Sequence, residues 1–208
     1  LPVKNCYSMK LFNTILSPFK PFNLLIRQSL ILFFVAVQVQ FAFSQKAYWD
    51  NSNELVSFGY DKYEGVRKVK ALIIHSTFNA SYPSTAKPDT FDVQGVLKQF
   101  KSYNVAAHFL IDRKGVIHQL VIPNNIAWHA GKSQLPDGTT SVNACSIGIE
   151  MMCTYTSGPN TAQYAALREL IDALDKNYNF KYILGHSDIA PGRKTDPWKF
   201  VDNHFYRK

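Results

Sequence analysis

Residues 69–75 read VKALIIH, a short apolar run rich in β-branched side chains that stops at a histidine. Such a run predicts a buried strand ending at His75. The pattern returns at 181–186, KYILGH, a last strand that again ends in a histidine, His186. Ligands of open α/β sheets collect just outside strand ends, so two strands that each finish in a histidine mark a candidate site.

Between these strands the chain supplies the rest of a sheet. AHFLIDRKGVIHQLVI, at 107–122, reads as two strands joined at DRKG, with Gly115 at the turn position that needs a positive φ. CSIGIEMMC, at 145–153, reads as a further buried strand, and Pro123 to Asn143 as loop. Asp89 is placed to cap a helix near 90–103 with Phe91, Val96, Leu97 and Phe100 on its apolar stripe. Thr161 opens a second helix to about Tyr178, because Tyr164, Leu167, Leu170, Ile171 and Leu174 share a face. The order strand, helix, hairpin, strand, helix, strand predicts an α/β fold: a single domain with a mixed central β-sheet flanked by helices.

The first 45 residues stand apart. They hold no Asp or Glu, four basic residues (Lys4, Lys10, Lys20, Arg27) and then the run SLILFFVAVQVQFAF at 29–43. A basic segment, an apolar stretch of about 15 residues and the small residues Ala42 and Ser44 describe a secretory signal peptide. Met9 is a possible true start. The expected organisation is therefore an extension and signal peptide at 1–45 and one domain at 46–208, secreted or periplasmic. An uncleaved N-terminal anchor is the alternative, although the run is short of the roughly 20 apolar residues that a spanning helix needs.

Of the 23 basic residues, 19 remain after residue 45, against 15 acidic ones. That small surplus suits an anionic polymer such as the cell wall, and no basic run interleaved with aromatics points to nucleic acid. Cys145 and Cys153 flank a strand that holds them roughly 26 Å apart, beyond disulfide reach, so free thiols are expected.

The polar stretch GHSDIAPGRKTDP, at 185–197, carries the chemistry. His75, His186 and Asp196 form a three-ligand zinc set if the two strand ends are neighbours and the loop folds back at Pro191 and Gly192. Spacing alone leaves a second reading, hydrogen-bonded histidines at sheet ends. Glu150 interrupts an apolar strand, where a charge costs several kcal/mol unless it is paired or holds a metal. It is either a carboxylate that reaches water at a strand end or a general base of raised pKa. Lys194 is either a solvated loop lysine or a cation beside a forming oxyanion. His108 and His118 read as a buried hydrogen-bonded histidine and a solvent-facing strand residue.

LIIHST, VAAHFLIDRKGVIHQLV, AWHAGKS, NACSIGIEMM and GHSDIAPGRKTDP, in that order, resemble the zinc-dependent N-acetylmuramoyl-L-alanine amidases of the type 2 family, which share a fold with the peptidoglycan recognition proteins. The resemblance runs from about Lys70 to Pro197. It implies one Zn2+ held by His75, His186 and Asp196, with Glu150 as general base and Lys194 stabilising the tetrahedral intermediate. It also implies that His129 lines the substrate groove beside Asn143. Ala107 stands where phage-type members carry a catalytic tyrosine, and Asp196 where phage and animal members carry a cysteine, so the chain resembles the subgroup that relies on the glutamate. Trp198 is a departure, since relatives usually have Gly after the KTDP motif.

The function expected from this resemblance is hydrolysis of the amide between the lactyl group of N-acetylmuramic acid and L-alanine, in peptidoglycan or a muropeptide, by a monomer with no stable membrane insertion after signal cleavage. Two alternatives stand beside it. One is a wall-binding module without catalysis, the other a zinc hydrolase of a different peptidoglycan amide.

Overall fold

In a computed structural model of the chain, the described residues are 55–81 and 88–201. The expected leader at 1–45, with Met9, lies outside them.

The strands are β1 (Tyr60–Asp61), β2 (Ala71–Thr77), β3 (Phe109–Ile111), β4 (Ile117–Gln119), β5 (Ile126–Ala127), β6 (Ser146–Met152) and β7 (Tyr182–Gly185). The helices are α1 (Val93–Tyr103), α2 (Thr161–Tyr178) and the single turn α3 (His186–Ile189). A five-stranded sheet has the order β4-β3-β6-β2-β7. β2 runs parallel to β6 and β7, β3 runs parallel to β6, and β4 closes the edge antiparallel to β3. This is the mixed sheet expected from the sequence. β1 and β5 pair separately and antiparallel.

Successive strand residues point to opposite faces, and the two faces of this sheet have different duties. On one face Leu72 and Ile74 of β2 and Ile147, Ile149 and Met151 of β6 pack with Leu167, Leu170, Ile171 and Leu174 of α2. α2 occupies the predicted range Thr161–Tyr178 and is held at its start by a capping box between Asn160 and Gln163. Gln163 is fully buried, and its amide also donates to the carbonyls of Ile111 and Met152, tying the helix start to the ends of β3 and β6. On the other face, α1 covers one side through Val96 and Phe100. Ala130, Leu135 and Val142 of the long loop cover the other side, against Ala71 and Ile73. The alternate residues of β2 and β6 between those two covers are the polar ones.

Four sequence expectations need correction. β2 does not stop at His75 but continues to Thr77, because β6 is equally long and pairs Ser76 and Thr77 with Met151 and Met152. His186 is not in a strand: the Asp188 carboxylate accepts the Gly185 amide at 2.8 Å and starts a helical turn there. The α1 cap is Asp92, whose carboxylate accepts from the amides of Gln94 and Gly95, while Asp89 sits in a preceding 3-10 turn. His118 is buried, with Nε2 3.3 Å from the Asp112 carboxylate, because the hairpin turn folds Asp112 back toward it. His108 is buried as expected, and Cys145 and Cys153 are free thiols.

Leu170 is fully buried between α2 and the sheet. Leu170→Ala should therefore lower the free energy of unfolding by about 2–5 kcal/mol, read by urea denaturation. A loss below about 0.5 kcal/mol, the range of surface substitutions, would show that this face is not the main core.

Candidate functional site

His75 and Glu150 are Cα partners across the parallel β2–β6 pair, so their side chains rise together from the sheet face opposite α2. β7, on the other side of β2, delivers the chain into α3, whose first residue is His186. The loop after α3 is bent back by its own backbone. Lys194 N donates to Ala190 O at 3.0 Å, and Ser187 N donates to Asp196 O at 2.8 Å. Residue 196 is thereby fixed beside residue 186.

Three side-chain atoms converge as a result. His75 Nδ1 and His186 Nδ1 are 2.9 Å apart, and Asp196 Oδ2 lies 3.1 Å from His186 Nδ1 and 3.5 Å from His75 Nδ1. All three residues are buried. His186 Nε2 donates to the Ala130 carbonyl at 3.1 Å, which leaves a lone pair on Nδ1 of the neutral ring. Lone pairs and a carboxylate oxygen pointed at one another repel unless a cation or a proton lies among them. The separations suit a metal: ligands at about 2.0–2.1 Å in tetrahedral array lie about 3.3 Å apart. His75, His186 and Asp196 are the residues that could hold one.

Electrostatics reflect the crowding. Burial lowers His75 to about 4, despite its contact with Asp196. Burial acts to raise Asp196, but its close contacts with the His186 and His75 rings outweigh it and hold the carboxyl well below the usual range. Burial, and then the Asp196 charge, push Glu150 up to about 8, against a smaller pull from Lys194. Glu150 Oε2 has no hydrogen-bond partner within the protein. A partly buried carboxyl with an unpartnered oxygen inside a cleft is a candidate for proton exchange.

The cleft has a volume of about 330 Å³ and is lined by His75, His186 and Asp196 together with Glu150, Lys194 and His129. One rim is aromatic. Trp198 lies 4.1 Å from Tyr155 and 5.8 Å from Phe78, ring centre to ring centre. Its backbone amide is tied to the Ser76 hydroxyl at 3.0 Å. The residue that departs from the expected pattern thus becomes part of the cleft wall, beside the metal-competent atoms.

Asn143 reaches the site through backbone. Its Oδ1 accepts from the amides of His129 and Ala130 at 3.2 and 2.8 Å. Arg67 was not anticipated. It is buried and donates through Nη1 to the carbonyls of Asn143 and Ser146 and through Nη2 to that of Pro123. Burial lowers it to about 10, so it stays charged at neutral pH and clamps the chain just before β6 to the loop around 123. The sequence around it, YEGVRKVK, carries no signal that separates this arginine from a surface one.

Comparison with known proteins gives a consistent picture. Residues 65–199 match the family model of N-acetylmuramoyl-L-alanine amidases. The 1,6-anhydro-N-acetylmuramyl-L-alanine amidase AmpD of Haemophilus influenzae is 31% identical over 169 residues, covering 76% of this chain and 91% of its own. AmpD of Escherichia coli is 47% identical over 100 residues, which is 47% of this chain and 54% of that relative. A solved structure of the amidase AmiD from E. coli, in complex with the substrate anhydro-N-acetylmuramic acid-L-Ala-D-gamma-Glu-L-Lys, superposes with a TM-score of 0.52 at 29% identity, covering 67% of this chain and 61% of that one.

The raised Glu150 value has a consequence for stability. Between about pH 5 and 8 the metal-free folded chain keeps a proton on Glu150, pushed up to about 8, that the unfolded chain, near the ordinary carboxyl value of 4.5, has released. Stability contributed by this group is therefore present at low pH and lost as pH rises through that window. Glu150→Gln, measured in chelator by thermal unfolding, should gain stability relative to wild type as pH goes from 5 to 8. A difference between the two proteins that stays flat over that range would show that the carboxyl is not held protonated.

Proposed function

We propose that this chain, which belongs to the N-acetylmuramoyl-L-alanine amidase family, hydrolyses the amide between the lactyl group of N-acetylmuramic acid and the L-alanine of a peptidoglycan stem peptide. The observation that carries this reading is the convergence of His75, His186 and Asp196 in one cleft with Glu150 and Lys194.

His75 Nδ1, His186 Nδ1 and Asp196 Oδ2 would hold one zinc ion, with a three-residue donor set of the kind that catalytic zinc sites use. When bound there, zinc supplies a Lewis acid that polarises a carbonyl and makes water more acidic. Glu150 takes a proton from the attacking water and returns it to the nitrogen of the leaving amine. Lys194 places its ammonium toward the carbonyl oxygen as negative charge develops on it. The products are a muramic acid carboxylate and a peptide with a free L-alanine amino group. His129 lines the substrate side of the cleft, and Asn143 holds the backbone that carries it. The absence of a tyrosine at Ala107 supports assigning the proton transfer to Glu150.

The basic segment and apolar run within residues 1–45 support export to the periplasm or beyond, which is where peptidoglycan is found. Expression with the intact N-terminus in a bacterial host should yield a mature chain that begins near Gln45. A full-length product retained with the membrane would replace export with anchoring.

The activity is tested by digesting purified peptidoglycan, and in parallel anhydro-muropeptides of the kind for which the AmpD relatives are named, with residues 46–208. Mass spectrometry should find free stem peptides beginning at L-alanine that vanish in chelator and return with zinc. Wall binding without released peptide would favour the recognition module, and cleavage elsewhere in the stem would favour another amide. Glu150→Gln should keep zinc but lower kcat by about 10²–10⁴-fold.

A further inference from the structure

Four of the chain's six histidines share one cluster. The His75 ring lies 4.3 Å from that of His186 and 5.0 Å from that of His129, and the His129 ring lies 5.7 Å from that of His108. Two of these belong to the metal set proposed above, and His108 is accounted for by the amide of Gly148 and the carbonyl of Asn125. His129 is left, and its hydrogen bonds determine more than a position on the cleft wall.

The directions of those bonds follow from one end. The Val142 carbonyl can only accept, and it lies 2.6 Å from the Ser146 hydroxyl. The single hydroxyl hydrogen of Ser146 is committed to it. Ser146 Oγ also faces His129 Nε2 at 3.2 Å, and with its hydrogen used it can only accept there, so Nε2 of His129 carries the hydrogen. A neutral imidazole has one N–H, so His129 Nδ1 is an acceptor. His129 Nδ1 sits 2.9 Å from His75 Nε2. His75 must then donate from Nε2, and its Nδ1, the atom turned toward His186 and Asp196, is left as a bare lone pair. The ring of His129 is held in this pose by its packing: a Cβ on Gly148 would stand 2.5 Å from it.

We propose that His129 is a positioning residue for the metal. By accepting the Nε2 hydrogen of His75, with its own tautomer set by Ser146, it presents His75 Nδ1 unprotonated and correctly turned to a divalent transition cation. His186 receives the same service from the Ala130 carbonyl, a backbone group that no substitution removes. One ligand is thus oriented by main chain and the other by the relay His75, His129, Ser146, Val142. Partners of this kind orient a ligand and raise its basicity. The proposal rests on the reading that His75, His186 and Asp196 bind zinc.

The test reads zinc affinity without substrate, by competition with a chromogenic chelator. Loss of the outer partner should weaken zinc binding by about 10–100-fold in His129→Ala, and Ser146→Ala should fall between that variant and wild type. His129→Asn should recover most of the affinity, because its Oδ1 replaces Nδ1 as the acceptor; a residue that served only as packing would not be rescued this way. Tight wild-type binding with His129→Ala within about threefold of it, or with Asn as weak as Ala, would overturn the proposal and leave the amidase reading intact. A wild type that takes up no zinc would overturn both. If His129→Ala does not fold, long-range 1H–15N correlation on the zinc-loaded wild type decides instead. A hydrogen on His129 Nε2 supports the relay, and a hydrogen on Nδ1 overturns it.

Discussion

The site depends on the pairing of β2 with β6. In a parallel pair held in register, Ala71, Ile73 and His75 stand beside Ser146, Gly148 and Glu150 on one face, while Leu72, Ile74, Ile147 and Ile149 face α2. Alternation by two is a property of extended backbone, so the seven residues SIGIEMM serve as core on one side and as site on the other. Gly148 leaves room for the His129 imidazole, and in the proposed reading Ser146 sets that ring's tautomer while Glu150 exchanges protons. A shift of register by one residue would bury all three against α2 and expose the core residues.

Placing so many polar groups against a sheet is costly unless each is partnered, and most of them are. Arg67 donates to three carbonyls, Gln163 bridges the ends of two strands, and His108 takes the Gly148 amide that faces it. Many of the supporting bonds are spent around the site, on segment 123–130, of which only Ile126–Ala127 is strand, and on the short 3-10 turn Val142–Cys145 that leads into β6. Among the described residues two buried polar atoms lack a partner, Arg67 Nε and Glu150 Oε2, and the second of them faces the cleft beside the histidine pair.

Much of this was legible in the sequence. The order of elements, the extent of α2 and the candidate set of His75, His186, Asp196, Glu150 and Lys194 follow from periodicity, strand ends and resemblance, and the structure brings those five residues to one cleft. Boundaries were less legible, because they depend on partners: β2 is as long as β6 allows, and the turn at His186 is started by Asp188. Arg67 was invisible, since its acceptors lie 56 to 79 residues away. The role of Ser146 had a readable trace, as it sits two and four residues before Gly148 and Glu150 on the same face. Its meaning required His129, which arrives on a loop whose path no local pattern reveals.

Trp198 and Trp128 both line the cleft, and the chain's third tryptophan, Trp49, lies outside the described residues. The indole of Trp198 leans on Tyr155, and that of Trp128 donates to Asp61. Light absorbed by either ring is emitted from within reach of whatever enters the cleft. The protein therefore contains its own optical probe of occupancy, and the filling of the site can be followed in the unlabelled chain.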